Sequence, residues 1–165
     1  MIFVTVGVQL PFDRLIKAVD EWAGRNGGVE VVAQAGESGY VPRHLQRKGT
    51  LPATEYRALV EKADLIVGHA GMGSIITALE LGKQIVVVPR RADLGEHRND
   101  HQKATARYMA AQNLVTVAEN EDDLLQILDG KRDLLPQRSI SGAASPELIG
   151  RLRSFLDEKA PAKRR

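Results

Sequence analysis

The sequence predicts an α/β domain built on a parallel sheet covered by helices on both sides. Short β-rich apolar runs alternate along the chain with segments whose apolar residues recur at helical spacing. One central run, Gln84–Val88, is so apolar that it reads as a strand buried on both faces. The 165 residues, 43% hydrophobic and 27% charged, fit one domain with one real core and exclude wholesale disorder.

Each element has its own justification. Ile2–Gly7 is a β-rich run ending in glycine, as in a buried first strand. After Pro11, Phe12, Leu15, Ile16, Val19 and Trp22 follow helical spacing until Gly27-Gly28 stops them. Val29–Ala35 reads as a second strand and Leu45–Gly49 as a weaker one, with a polar loop between. Tyr56, Leu59, Val60 and Ala63 mark a short helix after Pro52. Asp64–Gly68 is a strand, Gly73–Leu81 a helix and Gln84–Val88 a strand. Pro89–Arg98 is a charged loop, Asn99–Gln112 a helix, Leu114–Val117 a strand, and a last helix after Glu121 presents Leu124, Leu125 and Leu128. Residues 1–129 thus form the domain and 130–144 a linker rich in Ser, Gly and Pro. Ser145-Pro146 supplies an N-cap and an N1 proline for an amphipathic helix over 145–158, striped by Leu148, Ile149, Leu152, Phe155 and Leu156. Residues 159–165 are a basic tail.

Composition removes several function classes. There is no cysteine, so disulfide scaffolds and thiol chemistry are excluded. No apolar run approaches the roughly 18 residues that span a bilayer, and the chain opens directly on a strand. A cytoplasmic protein without signal peptide or membrane anchor is the expectation. The net charge of +2 divides into −3 over residues 1–129 and +5 over 130–165. That tail is either a solvated end or a segment that docks on something acidic, such as a membrane surface or a partner. Nucleic acid is not expected as a partner, with aromatics at only 4%.

The most informative stretch is Gly68-His69-Ala70-Gly71-Met72-Gly73-Ser74, a strand-to-helix turn. Glycines there let a ligand approach the backbone closely, and the helix behind offers unpaired N–H groups and a positive dipole end to an anion such as a diphosphate. A tight turn without a ligand is the plainer alternative. No lysine precedes Ser74, so this is not a Walker A loop, and Ile76 stands where a dinucleotide fingerprint needs glycine. The second cluster follows the next strand: Arg90, Arg91, Glu96, His97, Asn99, Asp100, His101 and Gln102. It either converges on the glycine turn with groups suited to sugar hydroxyls or is a solvated loop. His97 and His101 have helical i,i+4 metal spacing, but no carboxylate completes a known motif, so no metal site is expected.

Gly73-Ser74, the following Ala78-Leu79, Gly82, the apolar strand and Pro89 closely resemble the donor-binding half of family 28 glycosyltransferases. The likeness covers roughly Ile2–Asp129. The opening Val4–Ile16, the core Ala63–Ser74 and Asn99–Gln102 are similar to one subgroup, the small soluble subunits of two-component glycosyltransferases. That subgroup includes glucuronosyltransferase subunits of bacterial exopolysaccharide synthesis and the eukaryotic subunit that adds the second N-acetylglucosamine to a dolichol-linked sugar.

The resemblance implies a single Rossmann-like domain, one half of a two-domain architecture, that binds a UDP-sugar as substrate with no cofactor. The other half would be a membrane-anchored glycosyltransferase subunit that receives a polyprenyl-diphosphate-linked acceptor. Through it this chain would sit at the cytoplasmic face of the membrane; a homo-oligomer is also allowed. Gly71, Met72, Gly73 and Ser74 would cradle the diphosphate, and Gly7 and Gln9 would line the cleft opposite. Asp100 and Gln102 match the sugar-contacting segment, with Glu96, His97 and Asn99 beside them; Arg90, Arg91 and Arg98 would suit a glucuronate carboxylate or are simply solvated. His69 would either face phosphate or lie in the core. Thr77 stands where longer relatives have an acidic ribose ligand, which leaves Glu80 one turn later as the nearest carboxylate. Val8 replaces a frequent threonine. The implied reaction is inversion at the anomeric carbon by single displacement, with His97, Asp100 and His101 as candidate bases or the base on the other subunit. A non-catalytic subunit that enhances a membrane-bound transferase is the alternative.

Overall fold

The computed structural model describes residues 1–140, together with 147, 149–151 and 154. Those last five are helical and exposed. The rest of the helix expected over 145–158, and the tail 159–165, lie outside the described residues.

A parallel sheet of six strands runs through the domain in the order β3-β2-β1-β4-β5-β6. The strands are β1 (Ile2–Thr5), β2 (Val31–Gln34), β3 (Gln46–Lys48), β4 (Leu65–His69), β5 (Ile85–Val88) and β6 (Thr116–Val117). The helices are α1 (Asp13–Arg25), α2 (Ala53–Lys62), α3 (Met72–Glu80), α4 (His101–Ala111) and α5 (Glu121–Leu128). This is the doubly wound α/β arrangement, and the period-2 alternation of strand side chains explains why both faces are covered. Ile2, Val4, Val67, Val86 and Val88 pack with Leu15, Ile16, Val19 and Trp22 of α1 and with Leu124 and Ile127 of α5. Phe3, Val32, Ile66, Ile85 and Val87 pack on the other face with Val60 of α2, Ile75, Ala78 and Leu79 of α3 and Ala106 of α4. Trp22 adds a polar clasp between α1 and α5, its indole N–H donating to Asp129 at 2.8 Å.

Local chemistry sets the element ends. Asn120 caps α5 by accepting from the Asp123 N–H at 2.9 Å, and Glu121, Asp122 and Asp123 place carboxylates against the positive end of its dipole. Helix α4 starts at His101 rather than Asn99, because Asn99 and Asp100 turn their side-chain oxygens onto the backbone N–H groups of His101 and Ala92. The charged loop after β5 contains one 3₁₀ turn, Ala92–Leu94, closed by Gly95 at φ 71°.

The stretch expected to be a linker is tied down as far as residue 140. Leu135 donates from its backbone to Thr116 Oγ1 at 2.9 Å and accepts from Gln84 Nε2 at 2.9 Å. The Ile140 N–H reaches the Leu79 carbonyl at 3.2 Å, and Gln137 bonds the Gly82 carbonyl. Leu134 packs against one core and Ile140 against the other. The segment is thus held beside β6 through the Thr116 side chain and beside the start of β5 through the Gln84 side chain.

Candidate functional site

Strands β1 and β4 are neighbours, but the chain leaves them in opposite directions. From β1 it passes through α1 to β2; from β4 it passes through α3 to β5. Two loops that diverge at adjacent strand ends leave a crevice, the place where open α/β sheets bind ligands. A cleft of about 610 Å³ lies there. Of the sequence-predicted residues, Gly7, Gln9, His69, Gly71, Met72, Gly73, Ser74, Thr77, Arg90, His97, His101 and Gln102 line it. Glu80, Glu96, Asn99 and Asp100 do not.

The glycine turn owes its shape to a histidine. The His69 imidazole lies between Gly7 and Gly71. A β-carbon on Gly7 would stand 2.7 Å from His69 Cε1, and one on Gly71 would overlap His69 Nε2. Gly7 is also in the left-handed region, at φ 75°, and Gln34 Nε2 holds its carbonyl at 2.9 Å while Gln34 Oε1 accepts from Thr5 Oγ1 at 2.8 Å. Burial, reinforced by the Arg90 charge, pushes the His69 pKa down to about 4, so the ring is neutral at pH 7. Its Nδ1 is buried without a partner.

Gly71 is the N-cap of α3 and no side chain caps that helix, so the first-turn N–H groups after Gly71 are left to a ligand. Ser74 lines the cleft from the same turn. Thr77 donates its hydroxyl back to the Gly73 carbonyl at 2.9 Å, which leaves its oxygen as an acceptor only. Glu80 is the last residue of α3 and exposed. Six residues of helix rise carry it about 9 Å beyond Ser74, away from the cleft.

The loop after β5 converges on the cleft only in part. Glu96 is engaged elsewhere: it pairs bidentately with Arg14 at 2.7 and 2.9 Å and accepts from the Arg91 N–H at 2.9 Å. Asp100 accepts from the Ala92 N–H and pairs with Lys103, both at 3.0 Å. These two contacts, the Ala92 N–H foremost, hold its carboxyl below the usual carboxylate range and make it a poor base. Asn99 serves the backbone and ring of His101. Arg90, expected to meet a ligand, gives its guanidinium to backbone carbonyls instead. His97 and His101 meet edge to face at 4.5 Å between ring centroids. Burial, then the neighbouring His101, Arg90 and Arg98, lowers the His97 pKa, so it too is neutral at pH 7. Gln102 is buried, and its Oε1 accepts from the Arg90 N–H at 3.2 Å, which leaves its amide nitrogen for a ligand. Among the described residues no group of three metal-ligating side chains comes together.

Sequence reading missed Thr5, Gln34, Leu51 and Tyr56, all of which line the cleft. Thr5 and Gln34 are polar residues at the carboxyl ends of apolar strands, a signal that was available. Leu51 and Tyr56 carried none, because only the fold brings the start of α2 beside β1, where Tyr56 meets Phe3 edge to face at 5.5 Å.

The fold and this cleft define a doubly wound α/β domain with an anion-receptive turn at its switch point. The chain belongs to the glycosyltransferase family 28 C-terminal domain family, which it matches over residues 1–141. Among curated proteins it is 34% identical over 110 residues to human UDP-N-acetylglucosamine transferase subunit ALG13, covering 59% of this chain and 9% of that protein. It is 29% identical over 87 residues to the same subunit of Cryptococcus neoformans, covering 50% of this chain and 44% of that one. The chain therefore spans less than half the length of these relatives. The NMR solution structure of ALG13 is similar at a TM-score of 0.57 and 20% identity, covering 92% of this chain and 93% of that one. The calicheamicin glycosyltransferase CalG4 is similar at a TM-score of 0.64 and 17% identity, covering 97% of this chain and 44% of that one. These structural likenesses show the fold. No helix among the described residues is long and apolar enough to cross a membrane.

Proposed function

We propose that this chain is the donor-binding half of an inverting UDP-sugar glycosyltransferase that works with a second, acceptor-binding chain. The observation that carries the reading is the uncapped N-terminus of α3, opening with Gly71, Gly73 and Ser74 onto the switch-point cleft of a family 28 domain. Backbone N–H groups and the dipole would take the diphosphate and stabilise it as it departs, without a metal. Leu51 and Tyr56, whose buried hydroxyl has no partner, offer a surface for the nucleobase. The Gln102 amide would meet the sugar. Of the candidate bases, neutral His97 and its neighbour His101 line the cleft and Asp100 does not, which supports the two imidazoles as the proton acceptors if this chain supplies the base. The curated relatives are named as UDP-N-acetylglucosamine transferase subunits, which supports that donor; glucuronate remains the competitor to test. The second chain would be membrane-anchored and hold a polyprenyl-diphosphate-linked acceptor in exopolysaccharide or glycan synthesis.

Titration calorimetry with UDP, UDP-N-acetylglucosamine and UDP-glucuronate tests the reading. UDP binds in micromolar to millimolar range, and Ser74→Ala weakens it about tenfold, the loss of about 1.4 kcal/mol expected for one hydrogen bond to a charged group. The melting temperature stays within about 2 °C, since the Ser74 hydroxyl, though its residue is buried, lines the cleft and bonds to none of the described residues. Absence of UDP binding, with and without the membrane-bound chain, would leave the non-catalytic role standing instead.

A further inference from the structure

Arg90 is 2% exposed, yet no carboxylate among the described residues pairs with its guanidinium. A buried cation normally finds an acid, and one without compensation is costly. Here the compensation is backbone. Nη1 donates to the Pro11 carbonyl at 2.6 Å and the Glu96 carbonyl at 3.1 Å. Nη2 donates to the Val6 carbonyl at 2.7 Å and the Leu10 carbonyl at 2.6 Å. The guanidinium carbon also lies 4.7 Å over the Phe12 ring. Three of those four carbonyls belong to the single loop between β1 and α1, whose residues Gly7, Val8, Gln9 and Leu10 form one wall of the cleft. The fourth belongs to the loop after β5, which supplies His97 and leads to His101 and Gln102 on the other wall. Arg90 follows β5, separated from β1 in the sheet by β4. Its own N–H closes the circuit onto Gln102 Oε1.

We infer that Arg90 is a positioning residue for the donor cleft: its planar fork ties the β1–α1 loop to the loop after β5, so that both walls hold one spacing. The role rests on the donor-binding reading above. Beyond the Val6 N–H, which donates to the Gln34 carbonyl at 3.1 Å, the β1–α1 loop continues neither strand nor helix, and the guanidinium supplies the donors that the Val6, Leu10 and Pro11 carbonyls would otherwise draw from water. The work is geometric. Four acceptors in two directions suit a five-donor planar fork and do not suit one ammonium with three donors on a flexible stem.

Lysine therefore separates geometry from charge. In Arg90→Lys the positive charge stays and the fork is lost; in Arg90→Met both go. Both variants are to be measured for UDP affinity by calorimetry, for the melting transition by circular dichroism, and for backbone order at residues 6–11 by ¹⁵N relaxation without ligand. The expected result is a cooperative fold in Arg90→Lys, a fall in order confined to residues 6–11 and about 96, and UDP binding weakened at least tenfold, as in Arg90→Met. UDP binding within twofold of wild type in Arg90→Lys overturns the inference, because charge alone would then suffice. Unchanged order over residues 6–11, or loss of cooperative folding in both variants, overturns it too, the latter by making Arg90 a residue of the core as a whole. Should the wild-type chain bind no UDP, the donor-binding reading fails by itself, and the relaxation data still decide whether Arg90 holds the loop.

Discussion

Gly71→Ala weakens UDP binding about 100-fold and destabilises the domain, and both effects shrink when His69 is also removed. The reason is contact rather than backbone freedom. Gly71 has φ −90°, open to any residue, but a β-carbon there would overlap His69 Nε2 and stand 2.8 Å from Cδ2 and Cε1. The ring cannot retreat, because Gly7 on its other side leaves no more room: a β-carbon at that position would lie 2.9 Å from the same nitrogen. The first turn of α3 must then shift, and with it the N–H groups offered to phosphate. Overpacking of this kind costs about 1–3 kcal/mol in stability. Loss of two charge-assisted hydrogen bonds at about 1.5 kcal/mol each weakens UDP about 100-fold. The decisive measurement is a double-mutant cycle on stability with His69→Ala. The penalty of Gly71→Ala is expected to fall to near zero in the His69→Ala background. An equal penalty in both backgrounds would show that the glycine answers to something other than the imidazole.

That example marks where sequence reading stops. The glycine turn was legible because strand, glycines and helix are contiguous from Leu65 to Glu80, and phosphate-accepting turns advertise themselves locally. Its controlling neighbour was visible only as a histidine at a strand end, facing phosphate or core; the structure places it against both glycines. The sheet was legible for the same local reason: apolar β-runs and helical stripes give each element, and adjacency of consecutive elements gives much of the order. Glu96 and Arg90 looked like ligand groups because charged residues in a loop after a strand end carry no mark of their partners. Arg14 is 82 residues from Glu96, and Val6 is 84 residues from Arg90. Polar loop residues are claimed by whichever unpaired backbone or opposite charge the fold brings near, and that competition is settled in three dimensions. The contacts that residues 131–140 make with the domain carry no mark in the sequence for a related reason. The segment's few apolar residues, Leu134 and Ile140 among them, show no period, yet single contacts and backbone hydrogen bonds hold it to the β6 side of the sheet.

Asp20→Ala is expected to cost about 3–5 kcal/mol. The carboxylate of Asp20, on α1, is 1% exposed. Its Oδ1 accepts from the N–H groups of His44 at 2.7 Å and Leu45 at 3.1 Å; Oδ2 accepts from the Tyr40 hydroxyl at 2.9 Å, and the Arg43 N–H reaches both oxygens. One side chain thus satisfies three consecutive backbone donors of the connection that leads into β3. Truncation leaves the Leu45 donor buried without its partner and the Arg43 and His44 donors part-buried, at about 1–3 kcal/mol for each that water does not reach. For a domain of this size the loss lowers the melting temperature by about 10 °C. The pH dependence follows from the same contacts. Burial pushes the Asp20 carboxyl up, but the hydrogen bonds from Arg43, His44, Tyr40 and Leu45 outweigh it and hold the group below the usual carboxylate range. A depressed folded-state value stabilises the fold above about pH 4, the ordinary carboxyl value, and the contribution is lost as pH falls through the lower, folded one. Tyr40 shows the mirror case. The hydrogen bond to Asp20, then burial, raises its phenol, so its contribution is complete below about pH 10 and is lost as pH rises through the raised value. Asp20→Ala should therefore flatten both limbs of the stability profile while lowering its plateau. Asp20→Asn, which keeps an acceptor oxygen, should recover part of the plateau and none of the acid limb. A variant that unfolds in acid along the wild-type curve would show that other carboxylates set the acid limit, and that Asp20 fixes the loop without sensing pH.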